Sequence, residues 1–352
     1  MTVVSSDTVL AAQRRSAELE TRIAQDPSRF RILTGDRPTG PLHLGHYFGT
    51  LANRVRLQQL GVELFVLVAD YQVLTDRDVA ENLPEHTDGL VADYLAAGID
   101  PGKGTVFAHS AVPALNQLLL PFLSLVSVGE LQRNPTVKEE IAASRRSSVS
   151  GLMFTYPVHQ AADILFCKAN LVPVGKDQLP HQELTRTVAR RFNDRYGEVF
   201  PVPDALLSPV PHLLGLDGQK MSKSRGNAIA LSATADETAR LIRRARTDSR
   251  RHISYDPEAR PEVSNLVRLA ALCQDRDPHE VADEIGDGGS VALKRLAIEA
   301  VNEFLRPLRA RRAAYLADRT YLHRILKAGN ERANTVADET LREVRTAMRT
   351  AC

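Results

Sequence analysis

The chain has 352 residues, no tryptophan and three cysteines. Cys167, Cys273 and Cys352 are odd in number and far apart, and no Cys-x-x-Cys pair occurs. That argues against a disulfide framework or a cysteine-bound zinc, and fits reduced thiols in a cytosol. An excess of one charge is missing too: 45 Lys and Arg face 43 Asp and Glu, for a net charge of +2. Any nucleic-acid contact must therefore use a local basic face. No apolar run is long enough to span a membrane. The N-terminus carries Asp7, Arg14, Arg15, Glu18 and Glu20 without the apolar stretch of a secretory signal. No internal repeat or low-complexity tract is present.

What remains is an ordinary globular composition, 43% hydrophobic and 25% charged, in a chain long enough for two domains. Residues 1–29 read as an extension, with a surface helix over roughly Val9 to Ile23 ended by Asp26-Pro27. Phe30 to Thr34 reads as a strand and Gly35 to Pro41 as a loop. A helix follows from His43 to Leu60, closed by Gly61. Val62 to Ala69 is a nearly continuous apolar run, the mark of a strand covered on both faces. A helix over Leu83–Ala97 and a strand at Thr105–Ala108 complete a β-α-β-α-β order. The fold class is therefore α/β, a doubly wound parallel sheet of the Rossmann-like kind. This domain is expected to cover 30–230, with a helical insertion at about 110–170 and a short extended segment at Leu171–Val174. Residues 231–352 read as an α-helical region.

Two short motifs carry chemistry. His43-Leu44-Gly45-His46 opens the first crossover helix. Its free N–H groups and positive end suit a triphosphate. His43 and His46, three apart, share one face and can donate to phosphate oxygens. Gly45 lacks a Cβ, so an adenine ring could lie against the backbone, and Gly49 keeps that face bare. Arg37, Pro38, Thr39 and Gly40 precede it as candidate phosphate or ribose contacts. The second motif, Lys220-Met221-Ser222-Lys223-Ser224, sits on a loop over 217–227. Its two lysines suit a departing pyrophosphate, whose charge grows as the bond breaks. Gly98 to Thr105 resembles a phosphate-binding Walker loop, but its glycine spacing is one short and Gly104 replaces the metal-binding hydroxyl. It reads instead as a helix-to-strand turn. Asp163 lies in an apolar run, where a carboxylate needs a donor partner. The cluster Arg240, Arg243, Arg244, Arg246, Arg250 and Arg251 is the densest basic stretch.

The paired motifs resemble the HIGH and KMSKS signatures of class I aminoacyl-tRNA synthetases. Gly151 to Leu165, with Tyr156-Pro157-Val158-His159-Gln160-Ala161-Ala162-Asp163, looks like the amino-acid pocket of the tryptophanyl-tRNA synthetases. Val172-Pro173-Val174-Gly175-Lys176-Asp177-Gln178 is similar to a second block of that family. The resemblance implies ATP-dependent activation of L-tryptophan and its transfer to tRNA(Trp). It implies that His43, His46, Lys220 and Lys223 stabilise the transferring and departing phosphates. Arg37, Pro38, Thr39, Gly45, Gly175, Lys176, Asp177, Leu213, Met221, Ser222 and Ser224 would complete the ATP site. Asp163 would hold the indole N–H, with Leu33, Tyr156, Gln160 and Gln178 around the amino acid. Arg243, Arg244 and Arg250 would meet tRNA near the anticodon. Mg²⁺ is expected on the phosphates without a dedicated metal site, and the family is dimeric through 110–170. The chain departs from the family at His46, where tryptophan enzymes commonly carry Asn, at Gln160, commonly Met, and at Lys176, commonly Glu. A phenol also donates to a carboxylate, so a tyrosyl enzyme stands as the alternative substrate reading. A non-catalytic paralogue and a small-molecule adenylyltransferase are the alternatives of another class; the two complete motifs oppose the first, and the long pocket block opposes the second.

Overall fold

The computed structural model describes residues 6–75, 82–135, 137–138, 149–175, 178–208, 213–219, 221–222 and 225–350. Five parallel strands form one sheet: β1 (Arg31–Asp36), β2 (Glu63–Val68), β3 (Gly104–Ala108), β4 (Leu171–Val174) and β5 (Asp204–Leu207), in the order β3-β2-β1-β4-β5. The chain reverses its direction of winding between β1 and β4, and ligands of such sheets bind at the carboxyl ends beside that point. Alternate residues feed opposite layers. Ile32, Leu64, Val66 and Val68 join one core, and Leu33, Phe65, Leu67 and Phe107 the other. Both faces are apolar because helices cover both. The strand at β5 has no counterpart in the sequence reading: only four residues long, it lacks a periodic signal.

The first crossover consists of α2 (Leu44–His46), a π-helical turn at Tyr47–Leu51 and α3 (Ala52–Leu60). Gly61 closes it with φ of 101°, a left-handed cap that glycine adopts without strain. The helix α4 (Leu83–Ala97) leads to β3 through residues 98–103, confirming a turn where the Walker-like spacing fails. The insertion holds α5 (Pro113–Gln117), α6 (Leu119–Leu123) and α7 (Val128–Arg133) and leads to α8 (Gly151–Leu165). Next comes α9 (Leu179–Tyr196). The rest is helical: α10 (Ala235–Arg243), α11 (Pro261–Gln274), α12 (Pro278–Ile285), α13 (Gly289–Ala317) and α14 (Arg319–Ala347).

A parallel sheet has two open edges, and here a helix closes each. The N-terminal helix α1 (Ser6–Gln25) lies along β5. The Leu207 N–H, on the side of β5 away from β4, donates to Ser16 Oγ at 3.0 Å. Leu19 and Ile23 are fully buried, and Arg15 pairs with Asp204 at 2.8 Å. The extension is a helix at the surface, as expected, and the structure adds that one face of it closes the sheet edge, with Leu19 and Ile23 buried and most other positions exposed. At the opposite edge α14 runs against β3. The Ala108 N–H donates to Asn330 Oδ1 at 3.0 Å, and a Cβ on Gly329 would lie 1.8 Å from the Val106 carbonyl oxygen. Only glycine permits that approach. Gly329→Val is expected to destabilise the fold by about 3 kcal/mol through overpacking, read as a lower urea midpoint at unchanged slope.

Candidate active site

The first motif hangs between β1 and α3 and is tied down on three sides. The Leu44 N–H donates to the Ile229 carbonyl at 3.0 Å, and the Leu231 N–H donates to the Leu42 carbonyl at 2.8 Å. These bonds flank an antiparallel bridge between His43 and Ala230. The Leu42 N–H also donates to Asp93 Oδ2 at 2.9 Å, while Arg312 of α13 holds the other oxygen at 2.6 Å. The segment just after the second motif is therefore stitched to the first by backbone hydrogen bonds. A cleft of about 470 Å³ opens beside the stitch, lined by Thr39, Gly40, Pro41, His43, His86, Ala228 and Ala230. His86, in the first turn of α4, went unnoticed in the sequence; nothing local marks it.

The two histidines meet as expected. Their ring centroids are 3.7 Å apart, and the His43 N–H donates to His46 Nδ1 at 3.1 Å. The face over Gly45 is not bare: an added Cβ would sit 2.9 Å from Met221 Sδ and 3.0 Å from the His43 ring. Met221 of the second motif therefore packs on the glycine of the first. The face at Gly49 is open, with nothing within 4 Å of an added Cβ.

Beneath this helix lies a buried ion pair that the sequence reading missed. Arg54 Nη1 donates to Asp36 Oδ2 at 2.5 Å, and the Tyr94 hydroxyl donates to the same oxygen at 2.9 Å. Burial pushes the Asp36 carboxyl up, but the charges of Arg54 and His46 and the bonds from Arg54 and Tyr94 outweigh it and hold the group at about 2. The pair fixes the end of β1 to the middle of the crossover helix, near the start of α3. Its partners are 18 and 58 residues apart, so no local pattern announces it.

The second motif lies only partly in view, because Lys220, Lys223 and Ser224 fall outside the described residues, as do Lys176 and Asp177 of the ribose block. The frame of the loop is described. Asn227, 5% exposed, accepts from the Ser222 N–H at 2.8 Å and donates to Asp217 at 2.8 Å. Both ends of the loop thus meet on one side chain. Leu213 is buried beside this frame, and Arg37, Thr39, Gly175 and Gln178 are partly exposed, with Pro38 buried.

The amino-acid candidates gather on the other layer of the sheet. Tyr156, Gln160 and Asp163 stand at i, i+4 and i+7 on α8, one helical face. Leu33 of β1 is buried in the same core. The Tyr156 hydroxyl pairs with His181 Nε2 at 3.1 Å. Asp163 is 1% exposed. His109 Nε2 lies 2.6 Å from its Oδ1, and Gln72 Nε2 donates to Oδ2 at 3.2 Å. His159 stacks on His109 with centroids 4.7 Å apart. His109, His159 and Asp163 bring ligand-type atoms within 4.8 Å of one another. The His109–Asp163 separation of 2.6 Å is a hydrogen-bond length; two ligands of one tetrahedral zinc stand roughly 3.3 Å apart. Arg243, Arg244 and Arg250 are exposed, around and beyond the end of α10.

The family model described as tRNA synthetases class I (W and Y) matches residues 25–306. A tryptophan--tRNA ligase of Treponema pallidum is 45% identical over 328 residues, covering 90% of this chain and 96% of its own. The solved tryptophanyl-tRNA synthetase of Campylobacter jejuni, complexed with ADP and tryptophan, aligns with a TM-score of 0.79 at 30% identity, over 90% of this chain and 99% of its own. A tyrosyl-tRNA synthetase of Archaeoglobus fulgidus, complexed with L-tyrosine, aligns less well, at 0.66 and 26% identity over 84% and 94%. The chain therefore belongs to the class I tRNA synthetases of tryptophan and tyrosine, in the tryptophan--tRNA ligase family.

Proposed function

We propose that this chain joins L-tryptophan to ATP as tryptophanyl-adenylate and then passes the tryptophanyl group to tRNA(Trp). The observation that carries the reading is the stitch between the two phosphate motifs, with Met221 on Gly45 and the cleft beside His43. The tryptophan carboxylate is ionised at neutral pH and needs no general base. It attacks the α-phosphorus, and pyrophosphate leaves with its electron pair. Catalysis is then positioning and charge stabilisation. His43 and His46 donate toward the phosphates from the helix start. Lys220 and Lys223 follow the pyrophosphate on a loop whose two ends share Asn227. Gly175, Lys176 and Asp177 sit by the ribose. Asp163 accepts the indole N–H, with Leu33, Tyr156, Gln160 and Gln178 around the amino acid. A terminal hydroxyl of tRNA then takes the aminoacyl group, and AMP departs.

Magnesium arrives with the nucleotide as part of the substrate. Phosphate oxygens and water would hold the ion, which would offset phosphate charge. Arg243, Arg244 and Arg250 offer an exposed basic face for tRNA, checked by the salt dependence of tRNA affinity. A homodimer through the insertion is supported by Leu120 and Val128, 75% and 63% exposed on α6 and α7; light scattering of the purified chain reads it directly. No helix among the described residues is long and apolar enough to cross a membrane, and a tRNA substrate with reduced thiols suits the cytoplasm.

Pyrophosphate exchange tests the reading. Tryptophan should drive exchange, and tyrosine should not; the reverse result would assign the chain to the tyrosyl enzymes. Lys223→Ala should slow exchange by roughly 10² to 10³, the usual cost of one preorganised donor. An unchanged rate would remove the loop from the chemistry.

A further inference from the structure

Asp163 does not stand alone in its pocket; it is the end of a closed ring of contacts. Asn116 of α5 donates through Nδ2 to the carbonyls of His109 and Val112, at 2.9 and 3.0 Å. Carbonyls only accept, so the orientation of the amide is fixed. Its Oδ1 therefore faces His159 Nε2 at 2.8 Å, and that nitrogen must carry the proton. Burial lowers the basicity of His159, which leaves a neutral ring stacked on His109. His109 is fully buried and turns its Nε2 to Asp163. The path starts at the backbone of His109 and returns to its side chain. The His159 stack thus braces the His109 ring from the side.

We propose that His109 is a positioning residue for the substrate ring: it fixes the Asp163 carboxylate so that the remaining lone pairs meet a ring N–H, and so sets the preference for an indole. This rests on the reading of Asp163 as the indole acceptor. A carboxylate offers about four lone-pair sites. His109 takes one on Oδ1 and Gln72 one on Oδ2. One remains on each oxygen, in a plane held by two independent elements. Gln72 follows β2, and His109 follows β3. Without the His109 donor, the carboxylate is free to swing about a single Gln72 bond.

The test compares tryptophan with the analogue in which sulfur replaces the indole N–H. The chain contains no tryptophan, so the fluorescence of bound tryptophan reports its own affinity, and exchange kinetics serve both ligands. His109→Phe keeps a flat ring and removes the donor. It should weaken tryptophan binding about 10- to 100-fold, the worth of a charge-assisted bond, and leave the sulfur analogue and the KM for ATP within about threefold. His109→Gln restores a donor and should recover most of the loss. Equal losses for both ligands, or no loss, would overturn the proposal. So would a stoichiometric transition metal in the purified protein that disappears in His159→Leu, since the cluster would then be a metal site. Should His109→Phe fail to fold, Gln72→Leu reads the same preference from the other oxygen, and an unchanged preference there also overturns the idea. Asp163→Asn is measured alongside. If it leaves the preference intact, the assignment of Asp163 itself is wrong. If it abolishes the preference and His109→Phe does not, only the role of His109 falls.

Discussion

Asp163→Asn is expected to cut tryptophan-dependent pyrophosphate exchange by about a thousandfold. The change is isosteric, so the size of the effect comes from hydrogen-bond accounting. Three donors converge on this side chain: His109 Nε2, Gln72 Nε2 and, with substrate, the indole N–H. A carboxylate accepts all three. An amide accepts on one atom only and sets its own N–H₂ against a donor. Asp163 is 1% exposed, so bulk water has little access to relieve the clash. Losing a charge-assisted bond and facing a donor with a donor together cost about 4 kcal/mol. The loss should appear in the KM for tryptophan more than in the KM for ATP. An Asp163→Asn enzyme with near-normal exchange would mean that the indole is held elsewhere.

Arg54→Met is expected to destabilise the fold by about 3 to 5 kcal/mol, the usual cost of leaving a buried charge without its partner. Arg54 is 2% exposed and bonds Asp36 at 2.5 Å. Methionine fills much of the space but leaves the carboxylate with the Tyr94 hydroxyl as its remaining close donor. The double variant Arg54→Met with Asp36→Leu should regain most of the stability, because an apolar pair of similar volume often replaces a buried ion pair at little cost. Urea denaturation of the wild type, both single variants and the double variant gives the comparison; an additive double variant would show that the pair is not coupled.

The same pair predicts an acid limb. Asp36 titrates at about 2 in the folded chain against an ordinary 3.8. A carboxyl held down in the folded state stabilises it above the unfolded value. That contribution, about 2 kcal/mol, is complete above about pH 4 and is lost as pH falls toward 2. Stability measured between pH 5 and 2 should therefore decline more steeply in the wild type than in the double variant.

Much of the catalytic half was legible because its signals are local. Apolar runs of four to eight residues marked four of the five strands, and Gly61 marked a helix end. The two phosphate motifs are contiguous, and their chemistry depends on neighbours three or four residues apart. Tyr156, Gln160 and Asp163 share a face because a helix turns every 3.6 residues. The rest was hidden because its partners are distant in the chain. Gly45 looked like an open seat for a ring, yet Met221, 176 residues later in the same numbering, packs on it. Residues 1–29 looked peripheral, yet Ser16 closes the edge of a strand 191 residues away. β5 was missed because four residues carry too little periodicity to separate a strand from a loop.

The sequence by itself determined the α/β class, the two paired motifs and the carboxylate proposed for the amino acid, Asp163 in its apolar run, since each is written in local spacings. The tertiary structure alone decided how they are held. It closes both sheet edges with helices from opposite ends of the chain, stitches the first motif to the segment after the second, and brings His109 and Gln72 to Asp163 with Asn116 and His159 behind them. Those contacts arise when the sheet order places the segments after β2 and β3 beside two helices of the insertion, and no pattern along the chain encodes which side chains then meet.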